Sequence, residues 1–399
     1  MKRSALLFGA LMLGVASAAN AQGLSMQMSN GWNFSFAGNV NIFAQFQSQS
    51  KSGNTAVGGG LVGAGEAKGF YYGTGLLPAF ATFTATGKEG NTDLGVHFGF
   101  APQVQCGGGA HDCFGTNGRN QIDMRQVFMT VGGSWGTITA GKELGLYQRG
   151  NILSDQTLFG VGGGGIAPTG TTLGRIGFGY IYPNFIAQMT YSTPAGRPSS
   201  FSVGLMDPSA FGQYGVNELP RVEAEGSYTS GSFKVFASGT VQNSKTAPSG
   251  GTSKTAVGGA GGVTYKTGTF SIHGSGYYGK GLGTTLMFNG TGGADPTGGL
   301  PADAAGTLRS SYGFFGQLTY TAGKATVAGS YGSSYLKATA AEGSGKLENT
   351  LISGGIYYQA TKSLKVVGEG DYMWTKATPS GGATKNKAFT GAFGLMLFY

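Results

Sequence analysis

Three histidines, two cysteines and a scatter of arginines and carboxylates are the groups in this chain with chemistry to offer. His97, His111 and His273 fall in three separate segments. A metal centre or a hydrolase needs its groups to converge within hydrogen-bond reach, and no serine, asparagine or carboxylate pattern accompanies them. Cys106 and Cys113 bracket the stretch Gly107-Gly108-Gly109-Ala110-His111-Asp112. An oxidising compartment favours a disulfide between them, and closing so short a loop is worth roughly 2–3 kcal/mol on the chain-entropy model. Metal binding with His111 and Asp112 is the competing chemistry, although structural zinc uses a tighter cysteine pair and a second pair of ligands. The glycine runs at 58–60 and 258–259 carry no G-x-x-x-x-G-K-[ST] pattern and open no helix, so they are not phosphate cradles. No metal site, cofactor or catalytic group is expected, and the chain does not read as an enzyme.

Charge narrows the classes further. The chain has 26 Lys and Arg against 17 Asp and Glu, a net charge of +9. A nucleic-acid binder clusters its basic residues on one face; here they are dispersed, apart from Lys385 and Lys387, and no nucleic acid is expected as a partner. Charged residues total only 11%, against about 25% in an average soluble domain. Glycine accounts for 78 of 399 residues and aromatics for 12%. No Gly-X-Y period is present, which excludes collagen, and the aromatic content argues against a disordered tail. Beyond the first twenty residues no segment approaches the ~20 apolar residues of a spanning helix.

The amino terminus gives an address. Lys2 and Arg3 precede an apolar run from Ala5 to Val15, and small residues lead to Ala19-Asn20-Ala21. A charged start, a short apolar run and an A-x-A site make residues 1–21 a secretory signal peptide, cut before Gln22. Residues 22–399 form the mature chain.

That mature chain is a series of alternating segments. Trp32, Phe34, Phe36, Gly38, Val40, Ile42, Ala44 and Phe46 fall on one parity, and mostly polar residues fall on the other, with Phe43 the exception. A period of two over this length predicts a β-strand with one apolar and one polar face. The pattern recurs to the end of the chain. Sixteen strands are expected: 32–48, 76–86, 92–102, 121–133, 136–144, 175–192, 200–207, 220–229, 233–243, 256–266, 269–282, 309–321, 324–336, 349–360, 364–376 and 386–399. Short connections alternate with long ones rich in Gly, Ser, Thr and Pro, such as 49–68, 103–120, 145–174 and 283–308. Short turns at one rim and long loops at the other are the layout of a transmembrane β-barrel, closed because lipid leaves no unpaired backbone group satisfied. The fold expected is all-β, a 16-stranded antiparallel barrel. Tyr182-Pro183-Asn184-Phe185 reads alternatively as a turn, and eighteen strands is the alternative count. Gly38, Ala44, Gly258, Ala260 and Gly262 are expected on the outward face, as smooth ground for a neighbouring subunit or as bends in the sheet.

Four stretches of this pattern resemble the trimeric general porins of Gram-negative outer membranes. They are Gly31 through Gly38, the hairpin from Met124 to Lys142, the run Gly174 to Tyr180, and the end Gly394-Leu395-Met396-Leu397-Phe398-Tyr399. The resemblance implies that Leu395, Leu397 and Tyr399 are the signal read by the barrel-assembly machinery. It implies a homotrimer in the cell outer membrane, among outer-membrane lipid and lipopolysaccharide. It also implies that the third long loop, 145–174, folds into the barrel and narrows the pore. That loop carries one acid, Asp155, with Glu143 just before it, where many members of the family carry several.

Arg125, Lys142, Arg149 and Arg175 lie close to this loop in sequence and are the candidate basic wall of the pore. Charges lining a narrow pore raise the local counter-ion concentration, so a weak anion lean is expected. Asp93, Glu223, Glu225, Glu369 and Asp371 fall on inward parities and are expected to be mostly solvated wall. The function expected is passive diffusion of ions and small hydrophilic solutes through a water-filled channel. A substrate-specific sugar or anion porin is the first rival, with Phe43 and Tyr277 too few to form an aromatic slide. An outer-membrane enzyme or adhesin on a plugged barrel is the second.

Overall fold

The computed structural model describes residues 23–50, 60–63, 65–104, 122–163, 171–285, 287, 301–303, 305–343, 345–378 and 384–399. The signal segment and both cysteines lie outside the described residues. Eighteen strands follow one another: β1 (Leu24–Gln27), β2 (Asn33–Gln49), β3 (Ala67–Gly73), β4 (Phe80–Glu89), β5 (Thr92–Pro102), β6 (Ile122–Gly133), β7 (Gly136–Leu144), β8 (Phe185–Ser192), β9 (Ser199–Met206), β10 (Arg221–Ser230), β11 (Phe233–Lys245), β12 (Ser253–Thr267), β13 (Phe270–Lys280), β14 (Ser310–Ala322), β15 (Ala325–Lys337), β16 (Lys346–Gln359), β17 (Leu364–Thr378) and β18 (Thr384–Phe398). Two four-residue helical turns lie between β7 and β8, α1 (Arg149–Ile152) and a 3-10 turn (Gln156–Phe159).

These segments fill sixteen wall positions. From β4 to β18 each strand pairs antiparallel with the next, and β18 returns to β2 through Phe398↔Asn39 to Ala388↔Gln49. One edge of β2 carries β3 along residues 43–49 and β4 along residues 33–39, so these two share a single position. The other edge carries β18 and then β1, which pairs Leu24↔Phe36 through Gln27↔Asn33. The barrel is closed, and among the described residues no strand leaves a run of backbone donors and acceptors facing lipid along an open edge.

Period-two alternation decides which side chains face out. On β2, Val40, Ile42 and Phe46 are exposed to the membrane side, while Asn39, Asn41, Phe43, Gln45 and Gln47 are buried within the barrel. Near the short-turn rim, cross-strand aromatics stack on the outer surface: Phe233 with Tyr265 at 4.7 Å and Phe270 with Tyr320 at 4.8 Å between ring centroids. Such pairs form the aromatic girdle of a barrel at the membrane boundary.

Strands β1 and β3 are not among the expected strands, and the strand expected over 76–86 begins only at Phe80; two further expectations change. The strand expected over 175–192 is a strand only from Phe185. Gly174 and Gly177 take φ of +55° and +80°, and Asn184 takes +60°, left-handed values that interrupt an extended strand. Every residue from 174 to 181 is also buried, whereas a wall strand keeps one face in lipid. The stretch therefore belongs to the third long loop, which runs on to 184, and the count stays at sixteen and not eighteen. The second change concerns β12. Its outward parity holds Val257 and Val263, both exposed, whereas Ala256 is fully buried; Gly258, Ala260 and Gly262 share the parity of Ala256 and face the lumen. Gly38 and Ala44 keep the outward parity of Val40.

Candidate functional site

The loop between β7 and β8 crosses the barrel interior and is fastened to the far walls by carboxylates that the strand pattern points inward. On β10, Glu223 Oε2 accepts the backbone N–H groups of Leu146 (2.8 Å) and Tyr147 (2.9 Å). Its other oxygen lies 3.0 Å from Arg221 Nε, and both side chains are buried. Two residues along, Glu225 accepts from Arg149 Nη2 at 2.8 Å. On β11, Ser238 Oγ accepts from Gln148 N–H at 3.0 Å. On β13, Ser275 Oγ accepts from Asn151 Nδ2 at 3.1 Å. On β14, Gln317 both accepts from Gln156 N–H (2.7 Å) and donates to the Ser154 carbonyl (3.1 Å). On β17, Glu369 Oε1 accepts from Val161 N–H (2.7 Å) and Gly162 N–H (2.6 Å), and Tyr357 of β16 donates its hydroxyl to Oε2. Carboxylates suit this work because a bond to an ionised acceptor is worth about 1.5–3 kcal/mol, roughly twice a neutral one.

The loop lies against the wall too closely for a side chain at its tip. A Cβ on Gly160 would sit 1.9 Å from Glu369 Oε2. Leu158, Val161, Ile176 and Tyr180 of the loop pack with Phe43, Phe80, Phe315 and Val367 of the wall in one buried apolar cluster, so packing adds to the polar fastening. The loop's returning limb is held by its own network. Arg175 is fully buried; its guanidinium donates to the Leu351 carbonyl (3.1 Å) and to Ser330 Oγ and lies 3.8 Å from Asp155. Asp155 also accepts from the Tyr180 hydroxyl at 2.8 Å and from Thr157 N–H at 3.0 Å. Burial, and then the Asp155 charge, push the Tyr180 phenol well above its ordinary range, so it stays protonated as the donor. Gln148 joins the two limbs, accepting from Ile181 N–H at 2.8 Å.

Of the residues singled out by sequence, Glu143, Arg149, Asp155 and Arg175 meet inside the barrel. Glu143 is buried, accepting from Gln126 Nε2 at 2.9 Å and Leu144 N–H at 2.7 Å. Lys142 does not join them. Its neighbours across the sheet are Val127 and Ala187, and because Glu143 points in, Lys142 points out; its Nζ donates to the Met124 carbonyl at 2.8 Å on the outer surface. Arg125 sits where the β5–β6 register shifts. Its Nε bonds Asp123 at 2.7 Å, and its guanidinium lies 5.8 Å from the Phe185 ring centre. Glu223, Glu225 and Glu369, expected as solvated wall, are instead the anchors of the loop. Lys365, which stacks its ammonium 3.5 Å from the Phe159 ring centre, is a further inward cation whose role periodicity alone did not single out. At the carboxyl end, Leu395 and Leu397 are exposed, and Tyr399 exchanges two backbone bonds of 3.0 Å with Gly38.

A closed membrane barrel narrowed by its own inward-folded loop is a channel. A family model described as Gram-negative porin matches residues 6–378, and the chain belongs to that family. It is an outer-membrane porin. Among solved structures it is similar to the outer membrane channel DcaP of Acinetobacter baumannii, at 14% identity and a TM-score of 0.65, over 94% of this chain and 99% of that one. It is similar to the anion-selective porin from Comamonas acidovorans, at 12% identity and a TM-score of 0.62, over 92% of this chain and 100% of that one. It is also similar to OmpT of Vibrio cholerae, at 14% identity and a TM-score of 0.60, over 95% and 100%. At these identities the likeness is one of fold. None of the curated proteins compared matches the chain.

Proposed function

We propose that this porin passes ions and small hydrophilic solutes by diffusion, selects them by size at the inward loop, and has only weak charge preference. It performs no catalytic step. The observation that carries the reading is the fastening of residues 145–162 to β10, β11, β13, β14 and β17, which holds a fixed obstruction across the lumen. The charge reading follows from pairing. Arg149, Arg175 and Arg221 each face a carboxylate, Glu225, Asp155 and Glu223, and Arg125 faces Asp123. With Lys142 on the outer wall, ion pairs stand where a basic ring was expected from sequence, and they give no ground for an anion lean. Ion pairs in a pore wall present dipoles to passing solutes, whose fields fall off faster than that of a lone charge.

The same reading includes a cleaved signal peptide at residues 1–21, a Cys106–Cys113 disulfide, and recognition of Leu395, Leu397 and Tyr399 by the barrel-assembly machinery. It also includes a homotrimer in outer-membrane lipid and lipopolysaccharide, supported by the trimer form of a structural neighbour, OmpT of Vibrio cholerae. The test is single-channel conductance and reversal potential in a planar bilayer under a salt gradient. Steady conductance with a small reversal potential is expected. No conductance overturns the channel, and a strong reversal potential of either sign overturns the weak charge preference.

A further inference from the structure

The lumen face of β16, β17 and β18 carries two rows of side chains that a water-filled wall does not explain. Nearer the long-loop rim, Asn349, Thr375 and Asn386 are direct cross-strand partners, and all three are buried. One step further in, Leu351, Met373 and Ala388 form a second row in the same register. The interior of a porin barrel is polar, so an apolar row pointing inward needs a cover.

Residues 60–63 of the connection between β2 and β3 supply it. The polar row binds their backbone: Asn349 Oδ1 accepts from Leu61 N–H at 3.1 Å, Thr375 Oγ1 accepts from Val62 N–H at 3.0 Å, and Asn386 Nδ2 donates to the Val62 carbonyl at 3.1 Å. On β2, Gln49 Nε2 donates to the Gly65 carbonyl. The apolar row takes the Val62 side chain, which packs with Leu351, Met373 and Ala388 and with Phe178 of the third loop's returning limb. Leu61, half-buried, lies over the same limb. A Cβ on Gly177 would sit 2.5 Å from Leu61 Cδ1 and 2.7 Å from Thr285 Oγ1. The Thr285 carbonyl, in the connection after β13, accepts from Tyr182 N–H at 2.8 Å. Three long connections therefore meet at Gly177, which has no side chain to hold them apart.

We propose that Leu61 and Val62 form a second size-selecting element, an apolar ridge in series with the constriction loop and ahead of it on the long-loop side. The inference rests on the channel reading and adds residues of the first long connection to the path a solute must take. Thr375, which anchors Val62, lies six residues along β17 from Glu369, which anchors the constriction loop. That is about 20 Å of strand, so a solute meets the two obstructions in turn. A ridge of leucine and valine on a fastened backbone selects by width and offers no charge to a passing ion.

The test uses the full-length protein in a planar bilayer. Leu61→Cys is treated from the long-loop side with a positively charged methanethiosulfonate, and the treated wild type controls for the native cysteines. A bulky adduct on the ridge is expected to lower the conductance of the variant by about half, and that of the wild type not at all. Leu61→Gly combined with Val62→Gly clears the ridge. Because the conductance of a narrow water-filled segment scales with its cross-section, a rise of about 1.5-fold or more is expected. The same variant should admit polyethylene glycols larger than those the wild type excludes. A thiol at position 61 that the reagent does not reach, or that is modified with no change in conductance, overturns the proposal. So does a glycine variant with the conductance and exclusion limit of the wild type. Should the glycine variant fail to fold into a heat-modifiable barrel, the thiol result decides alone. A wild type that does not conduct overturns the channel reading and this inference with it. A conducting wild type matched by both variants overturns the second element and leaves the channel reading standing.

Discussion

Replacing Glu369 by alanine removes the fastening at the far end of the constriction loop, and the hydrogen bonds it makes set the size of the effect. Three donors lose their acceptor: Val161 N–H at 2.7 Å, Gly162 N–H at 2.6 Å and the Tyr357 hydroxyl. A buried donor left unsatisfied costs about 1–3 kcal/mol, but water entering the space of the deleted carboxylate recovers part of that. A net loss of roughly 3 kcal/mol is a reasonable centre, and at 1.4 kcal/mol per decade it raises the population of the detached loop about a hundredfold. Glu223, Ser238 and Gln317 still hold the first half of the loop, so detachment is confined to residues near 160–163. The expected result is an open state of larger or noisier single-channel conductance, with heat-resistant folding of the barrel retained. Glu369→Gln keeps one acceptor oxygen and should give a smaller effect in the same direction. Conductance and noise equal to wild type in both variants would refute the claim that this carboxylate holds the obstruction in place.

The same geometry sets three further outcomes. Arg149→Gln leaves Glu225 facing the lumen without its cation and should shift the reversal potential toward cations; Glu225→Gln should shift it toward anions, and the double variant should return near wild type. Outside the membrane, hydrogen bonds from Thr339 and Thr307 hold the Asp303 carboxyl below its ordinary range, and the bond from Arg309 does the same for Glu342. A depressed carboxylate stabilises above its ordinary pKa and loses that contribution as pH falls through the lowered value. Amides near Thr339 should therefore keep their hydrogen-exchange protection at pH 6 and through the ordinary carboxylate range, and lose it only as the pH falls below that range, after correction for intrinsic rates; unchanged protection in acid would remove the two acids as the fastening of these loops. Deleting Tyr399 removes two backbone bonds to Gly38 and a ring contact with Phe36 at 5.1 Å. It should lower the yield of heat-modifiable folded barrel on gels, and an undiminished yield would count against a closing role.

The strands were legible because each one has lipid on one side. Val40, Ile42 and Phe46 against Asn39, Asn41 and Gln45 carry the signal without help from any neighbour. The stretch 175–181 misled because Ile176, Phe178 and Tyr180 alternate with glycines, which imitates a wall strand; burial on all sides, invisible to periodicity, is what distinguishes it. Lys142 and Glu143 carried a warning in plain view, since consecutive residues of a regular strand cannot both face the lumen. The roles of Glu223, Glu225 and Glu369 depend on where a loop some seventy to two hundred positions away comes to rest, and local pattern holds no record of that. Parity said correctly that they point inward. Only the folded loop says that they are acceptors for its backbone.

The last wall position is assembled from two segments far apart in sequence, β18 and β1. Tyr399 pairs with Gly38, and Leu24 takes up the same edge of β2 at Phe36, so β18 and β1 run in line, one continuing where the other stops. A gene that splices residue 399 onto residue 23 and opens a loop at the opposite rim would turn the two segments into one unbroken strand. Such a molecule would have its seam sealed by a covalent bond, and its wall would no longer depend on two distant segments finding each other.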